Sequence, residues 1–124
     1  MDQRFRWHER LHQKSDFKRV FRKGRRVGAF GLTMWVCQSE GAESTRNPRL
    51  GLAIPKAYGN AVARNRLKRL IREAFRLNKT QLPRGIDMVF SARSSLAKPQ
   101  FQTIEPLIMK LWAEAKLLPP SPGS

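Results

Sequence analysis

Acid is scarce in this 124-residue sequence, with 9 Asp and Glu against 25 Lys and Arg and a formal net charge of +16. So large an excess repels itself unless a polyanion neutralises it, which makes nucleic acid the first candidate partner. The same scarcity removes the clustered carboxylates that a metal-dependent nuclease requires, and Asp87 stands alone in its segment. Cysteine is nearly absent: a single Cys37 excludes an intrachain disulfide, and with only His8 and His12 there is no zinc-ligand set, so Cys37 reads as structural and inert. No apolar run reaches the ~18 residues of a bilayer-spanning helix, so no membrane partner is expected. Met1 to Arg10 lacks the apolar stretch of ~7–15 residues of a signal peptide, and the expected location is cytoplasmic.

The chain does contain 40% hydrophobic residues, enough for a modest core in one compact domain. Residues 1–118 read as that domain, with 1–14 a basic arm. Pro119 to Ser124 has neither periodicity nor apolar content and reads as a tail without fixed structure. No internal repeat is visible.

Ser15 as N-cap, Asp16 in the first turn, and Arg22, Lys23 and Gly24 at the end predict a short helix with Phe17, Val20 and Phe21 on one face. Phe30, Leu32, Met34 and Val36 alternate with Gly31, Thr33 and Trp35, the period of a strand, and this sends Trp35 to the opposite side. Turn residues fill Gln38 to Pro48. A second strand carries Leu50, Leu52 and Ile54, and Pro55 ends it. Asn60 caps a helix from Ala61 to Lys79 whose apolar stripe holds Ala63, Leu67, Leu70, Ile71, Ala74 and Asn78. A third strand fits Ile86 to Ala92. A last helix follows, with Thr103 as N-cap, Pro106 in its first turn, and Ile104, Ile108, Leu111, Ala115 and Leu118 on one face. The order α-β-β-α-β-α defines an α+β fold, a small sheet with helices packed on it, and the general rule makes any parallel crossover right-handed.

The middle helix carries the clearest chemistry. Opposite its apolar stripe project Asn65, Lys68, Arg69, Arg72, Arg76 and Lys79, with Arg64 and Arg66 on the flanks and only Glu73 interrupting. An ordinary solvated face interleaves acids to form i,i+4 pairs; here Lys68 with Arg72 and Arg72 with Arg76 repel, by a few tenths of a kcal/mol per pair. A phosphate backbone would reverse that penalty, and the planar guanidinium suits bidentate contact to phosphate.

Phe17, Phe21 and Trp35 form a second set, aromatics among basic residues. They fit either core packing, the commoner fate of a Phe pair at i,i+4, or a stacking surface for single-stranded RNA, with Trp35 the better candidate by its strand parity. Arg4, Arg6, Arg10, Lys14, Lys18, Arg19, Arg22, Lys23, Arg25 and Arg26 extend the basic surface. This arm reads equally as a segment that orders on RNA and as a charged terminus. His8 and His12 fit the acid–base pair of a metal-free nuclease, but their arginine neighbours favour an RNA-contacting or idle role.

The stretch Arg49-Leu50-Gly51-Leu52-Ala53-Ile54-Pro55-Lys56, followed by Gly59-Asn60-Ala61-Val62-Ala63-Arg64-Asn65-Arg66-Leu67-Lys68-Arg69-Leu70-Ile71-Arg72-Glu73-Ala74-Phe75-Arg76, resembles the signature of the bacterial ribonuclease P protein family. Asp16 to Gly24 and Asp87 to Arg93 support it, and the resemblance covers roughly Arg10 to Leu118. It implies a protein subunit of an endoribonuclease whose RNA subunit does the chemistry. That enzyme hydrolyses precursor tRNA with magnesium to release the 5′ leader, and the protein contributes no catalytic residue and no firmly held cofactor or metal. It implies that the helix bearing Arg64, Asn65, Arg66, Lys68, Arg69, Arg72 and Arg76 lies against the RNA subunit. It also implies that Phe17, Phe21, Trp35 and Lys56 line a cleft for the single-stranded leader. No protein partner is implied. The family's β-α-β crossover is left-handed, against the general rule. Pro55, Ala57 and Tyr58 depart from the family pattern, in which Ser at the first of these positions and a second Lys followed by a small apolar residue are common. Two rival readings remain, a structural ribosomal or RNA-chaperone protein and a free-standing nuclease using His8 and His12.

Overall fold

The computed structural model describes residues 9–41 and 46–118. Helix α1 (Lys14–Lys23) precedes strands β1 (Arg25–Ala29), β2 (Leu32–Gln38) and β3 (Arg49–Leu52); helix α2 (Ala61–Asn78), strand β4 (Ile86–Ala92) and helix α3 (Phe101–Glu114) follow. The strands form one sheet in the order β1-β2-β4-β3, with β2 antiparallel to both its neighbours and β3 parallel to β4. The fold is α+β as expected, with one strand more than the sequence pattern shows.

Strand β4 lies in the middle of the sheet with helices on both sides. Met88 and Phe90 face a core completed by Leu67, Ile71 and Phe75 of α2 and by Leu111 and Trp112 of α3. Val89 faces the other way and meets Leu11 and Val20, with Phe17 and Trp35 packed around them. Burial on both faces explains why β4 is apolar at nearly every position.

The added strand is β1. Its sequence, Arg25-Arg26-Val27-Gly28-Ala29, has no apolar alternation because it is a largely exposed edge strand. It pairs with β2 from Arg25 opposite Val36 to Ala29 opposite Leu32, so Phe30 and Gly31 form a two-residue turn with φ of 51° and 85°. Positive φ at both central positions is the hairpin geometry that matches strand twist. Phe30 therefore leaves the predicted strand, while Leu32, Met34 and Val36 are buried and Trp35 lies on the opposite face as expected.

Several element ends shift. Helix α1 starts at Lys14 with Gln13, not Ser15, in the N-cap position. Strand β3 ends at Leu52, although the Ala53 N–H still donates to Phe90 O at 2.9 Å. Helix α2 keeps its predicted cap, Asn60 Oδ1 accepting from the Ala63 N–H at 2.9 Å. It ends at Asn78, whose amide turns back to Ala74 O and across to Glu105. Helix α3 starts at Phe101 with Gln100 in the N-cap position, which places Thr103 inside it and Pro106 in its second turn. Gln102, whose carbonyl loses its helical partner there, is exposed.

The segment before α1 is tied to the sheet. Leu11 N–H donates to Leu50 O at 2.9 Å and Arg10 bridges Leu50 in parallel, which lengthens the sheet beyond β3. Glu9, 1% exposed, takes the Lys79 ammonium at 2.8 and 2.9 Å. The rest of the predicted arm, Met1 to His8, and the predicted tail, Pro119 to Ser124, lie outside the described residues. Among those described, no helix is long and apolar enough to cross a membrane.

Candidate nucleic-acid interface

Helix α2 buries Leu67, Ile71, Ala74 and Phe75, and this stripe holds its opposite face to solvent. Asn65, Arg66 and Arg69 are exposed, and Arg64, Lys68, Arg72 and Arg76 are half-buried beside them. Two of these arginines are anchored on neutral acceptors: Arg64 Nη1 donates to Gly59 O at 2.6 Å and Arg66 Nη2 to Pro99 O at 3.2 Å. Such bonds hold the guanidinium in place and leave its charge unneutralised. Glu73, the helix's one acid, is bound by Arg76 through Nε–Oε2 at 3.1 Å and Nη2–Oε1 at 2.5 Å. That contact holds the Glu73 carboxyl below its ordinary value and lifts Arg76. Burial, with the charge of Arg10 alongside, draws the Arg72 guanidinium down. Lys79, expected on this face, is instead buried against Glu9.

The aromatic set lies on the side of the sheet covered by α1. Phe21 is 39% exposed and meets Trp35 edge-on, with ring centroids 4.8 Å apart at 82°. The Arg26 guanidinium sits 5.9 Å from the centroid of the Trp35 ring. Phe17 packs over Gly51, where a Cβ would stand 2.8 Å from the ring, so the aromatic approach requires glycine at that position. Val20, the third apolar residue of α1, is fully buried, so core and surface readings apply to different residues of one helix. Lys56 is exposed on a 3-10 turn, Lys56–Tyr58, beyond β3. Tyr58, one of the departures from the family pattern, is buried with its hydroxyl donating to Leu96 O at 2.7 Å, and burial pushes that hydroxyl's pKa up.

The two surfaces meet. A concavity of about 390 Å³ is lined by Arg10, Asn65, Arg69, Arg72, Glu73 and Arg76. A second, about 200 Å³, lies among Arg10, His12, Phe17, Gly51, Lys68 and Arg72. Arg10 and Arg72 line both, so the α2 face runs into the α1 side without a break. His12 is exposed there; His8, its partner in the nuclease reading, lies outside the described residues.

What positions α1 was not visible in the pattern, which assigned Arg19 to the basic surface. Arg19 is buried: Nη2 pairs with Asp87 of β4, while Nη1 donates to Gln38 O at 2.9 Å and contacts Cys37 Sγ at 3.1 Å. Asp87 also accepts from Arg49 and from Ser39 Oγ at 2.7 Å. An acid inside an apolar central strand, as in Ile86-Asp87-Met88, needs buried cationic or hydrogen-bonding partners, and that was the available signal.

The family model for ribonuclease P matches residues 5–116. This chain belongs to the ribonuclease P protein family. Among its ribonuclease P relatives, the protein component of Syntrophobacter fumaroxidans is 47% identical over 98 residues, 77% of either chain. That of Pelotomaculum thermopropionicum is 36% identical over 107 residues, 86% of this chain and 92% of the relative. Among solved structures, the RNase P protein of Staphylococcus aureus is 28% identical with a TM-score of 0.78, covering 90% of this chain and 98% of that one. The protein from Thermotoga maritima is 30% identical with a TM-score of 0.72, covering 83% and 94%. The ribonuclease P resemblance read from the residues thus holds at the level of the fold.

Proposed function

We propose that this chain, as a ribonuclease P protein component, binds the catalytic RNA subunit through α2 and holds the single-stranded 5′ leader of precursor tRNA between α1 and the sheet. The observation that carries this reading is the continuity of the two surfaces through Arg10 and Arg72. Glu73, which lines the α2 concavity, is held by Arg76, so one polyanionic assembly covers both surfaces. On α2, Arg64, Asn65, Arg66, Lys68, Arg69, Arg72 and Arg76 neutralise phosphates of the RNA subunit and fix its orientation. In the cleft, Phe17, Phe21 and Trp35 offer ring faces and edges to unpaired bases, and Lys56 serves the backbone where the leader passes.

Hydrolysis of the phosphodiester is assigned to the RNA, and this chain supplies binding and orientation rather than a reacting group. The reading gives magnesium to the RNA. The protein's work is electrostatic: it lowers the repulsion between leader and ribozyme that magnesium would otherwise have to screen.

The test is cleavage of precursor tRNA at low magnesium by a bacterial ribonuclease P RNA, with and without this protein, beside the protein alone. Efficient cleavage at the 5′ junction by the combination alone supports the reading. A protein that adds nothing returns the chain to a structural RNA-binding role, and cleavage by the protein alone moves the chemistry onto it.

A further inference from the structure

Phe30 stands where a phenylalanine is least expected. It occupies the first central position of the β1–β2 turn at φ 51°, a left-handed conformation that asparagine or glycine adopts readily and a bulky side chain does not. The position returns little burial, since the side chain is 75% exposed. The Lys110 ammonium of α3 stands 5.1 Å from its ring centroid. Backbone strain and an exposed ring are both unfavourable to the folded chain, so the residue is accounted for by something outside it.

The surroundings indicate what that is. Phe30 lines a concavity of about 350 Å³ together with Arg26, Gly28, Thr33, Arg93 and Ser95, a lining with two guanidinium groups and no carboxylate. Arg26 belongs to this concavity and also covers Trp35, so it joins the hairpin end to the aromatic cleft. Thr33 and Gly28 lie opposite each other and two residues along from Trp35 and Arg26, which puts all four on one face of the sheet. From Trp35 to Gly31 the strand runs about 14 Å at ~3.4 Å per residue. The end of the path is rigid: Arg93 N–H donates to Gly31 O at 2.9 Å, and a Cβ on Gly31 would meet Ser95 Oγ at 2.9 Å and Leu96 N at 3.0 Å.

We propose that the hairpin end is a second stacking site for single-stranded RNA, with Phe30 as the platform and Arg26 and Arg93 as its phosphate contacts. It takes leader nucleotides farther from the cleavage junction than those at Phe21 and Trp35. This rests on the leader-binding reading of the cleft. Charge complementarity and the continuity through Arg26 select RNA over an apolar protein partner.

The test uses the reconstituted holoenzyme, bacterial ribonuclease P RNA with this protein, and precursor tRNAs whose leaders are either too short to pass Trp35 or long enough to reach the hairpin. Phe30→Asn places a residue suited to the turn, so the variant folds and its melting temperature rises. It binds the long-leader substrate about fivefold or more weakly, the loss of one stacked base, and the short-leader substrate as well as the parent does. Phe30→Tyr restores the long-leader affinity. Equal affinities of Phe30→Asn and parent for the long leader, or equal losses for both leaders, would overturn the proposal. A Trp35→Ala control that fails to separate precursor from mature tRNA identifies the cleft reading itself as the fault.

Discussion

Arg49 closes a bidentate ion pair on Asp87, Nε to Oδ1 and Nη2 to Oδ2, both at 2.8 Å, and the carboxylate so held is fully buried. Arg19 reaches the same carboxylate from α1, 68 residues away in sequence. One buried acid thus ties β3 and β4 to the helix that carries Phe17 and Phe21. Among the described residues the apolar cluster beneath α1 has Leu11, Val20 and Val89 as its buried members, so this charged contact carries much of the docking.

Asp87→Asn should therefore destabilise the protein by about 3 kcal/mol, since buried Arg19 and partly buried Arg49 lose their nearest counter-charge and keep Asp16, at 3.4 and 3.7 Å. Burial pushes the Asp87 carboxyl up, but hydrogen bonds from Arg49, Ser39 and Arg19 together outweigh it and leave the carboxyl below its ordinary value of 3.8. A depressed carboxylate contributes its stability above the unfolded value and loses it as pH falls through the folded one. Urea unfolding of parent and variant should show a constant gap down to the ordinary carboxylate range and a narrowing gap below it. A gap that persists in strong acid would refute the assignment.

Helix α2 and strand β4 were legible in the sequence because each declares itself within one element: a long apolar stripe with an Asn60 cap, and an apolar run whose start Pro83 and Gly85 mark. The basic face of α2 was legible for the same reason, since helical periodicity alone separates Arg69 from Ile71. Strand β1 was not, because an edge strand has no buried face to write a period into Arg25–Ala29. Arg19 and Lys79 were misplaced onto the surface because their partners, Asp87 and Glu9, are distant in sequence and only the fold brings them together. The cleft lies between elements, so no periodicity within α1 separates Phe21 at the surface from Val20 in the core beyond the turn they share.

Lys79→Ala should remove the ammonium that the buried Glu9 carboxylate holds and lower stability by about 3 kcal/mol. The midpoint in guanidinium chloride should fall with the slope unchanged. Replacing both partners with methionine should recover most of the loss, because a buried pair is worth little more than an apolar pair of similar volume. A double variant as unstable as Lys79→Ala would show that the pair does more than satisfy its own charges.

On α2 the salt dependence of binding to ribonuclease P RNA should register the phosphate contacts individually. Arg64→Ala with Arg66→Ala should flatten the slope of log K against log salt by about two units, and Arg69→Ala by about one. Arg76→Ala should change it least, because Glu73 already meets that charge at 2.5 Å. Titrations over a range of salt distinguish these outcomes, and an unchanged slope for the double variant would remove α2 from the interface.

Trp35→Ala should weaken precursor tRNA binding by the holoenzyme and leave mature tRNA binding as it is, because only the precursor carries a leader. Losing one stacked base amounts to about 1–3 kcal/mol, a factor of roughly five to more than a hundred in affinity. The indole contributes to packing as well as surface, since it lies against the cluster of Leu11, Val20 and Val89 and meets Phe21 edge-on with ring centroids 4.8 Å apart. Trp35→Phe keeps a ring on that face and should retain most of the discrimination, while Phe21→Ala exposes one side of Trp35 without removing it and should fall between. If Trp35→Ala lost precursor and mature tRNA alike, the residue would be acting through the stability of α1, and the cleft would have no claim on the leader.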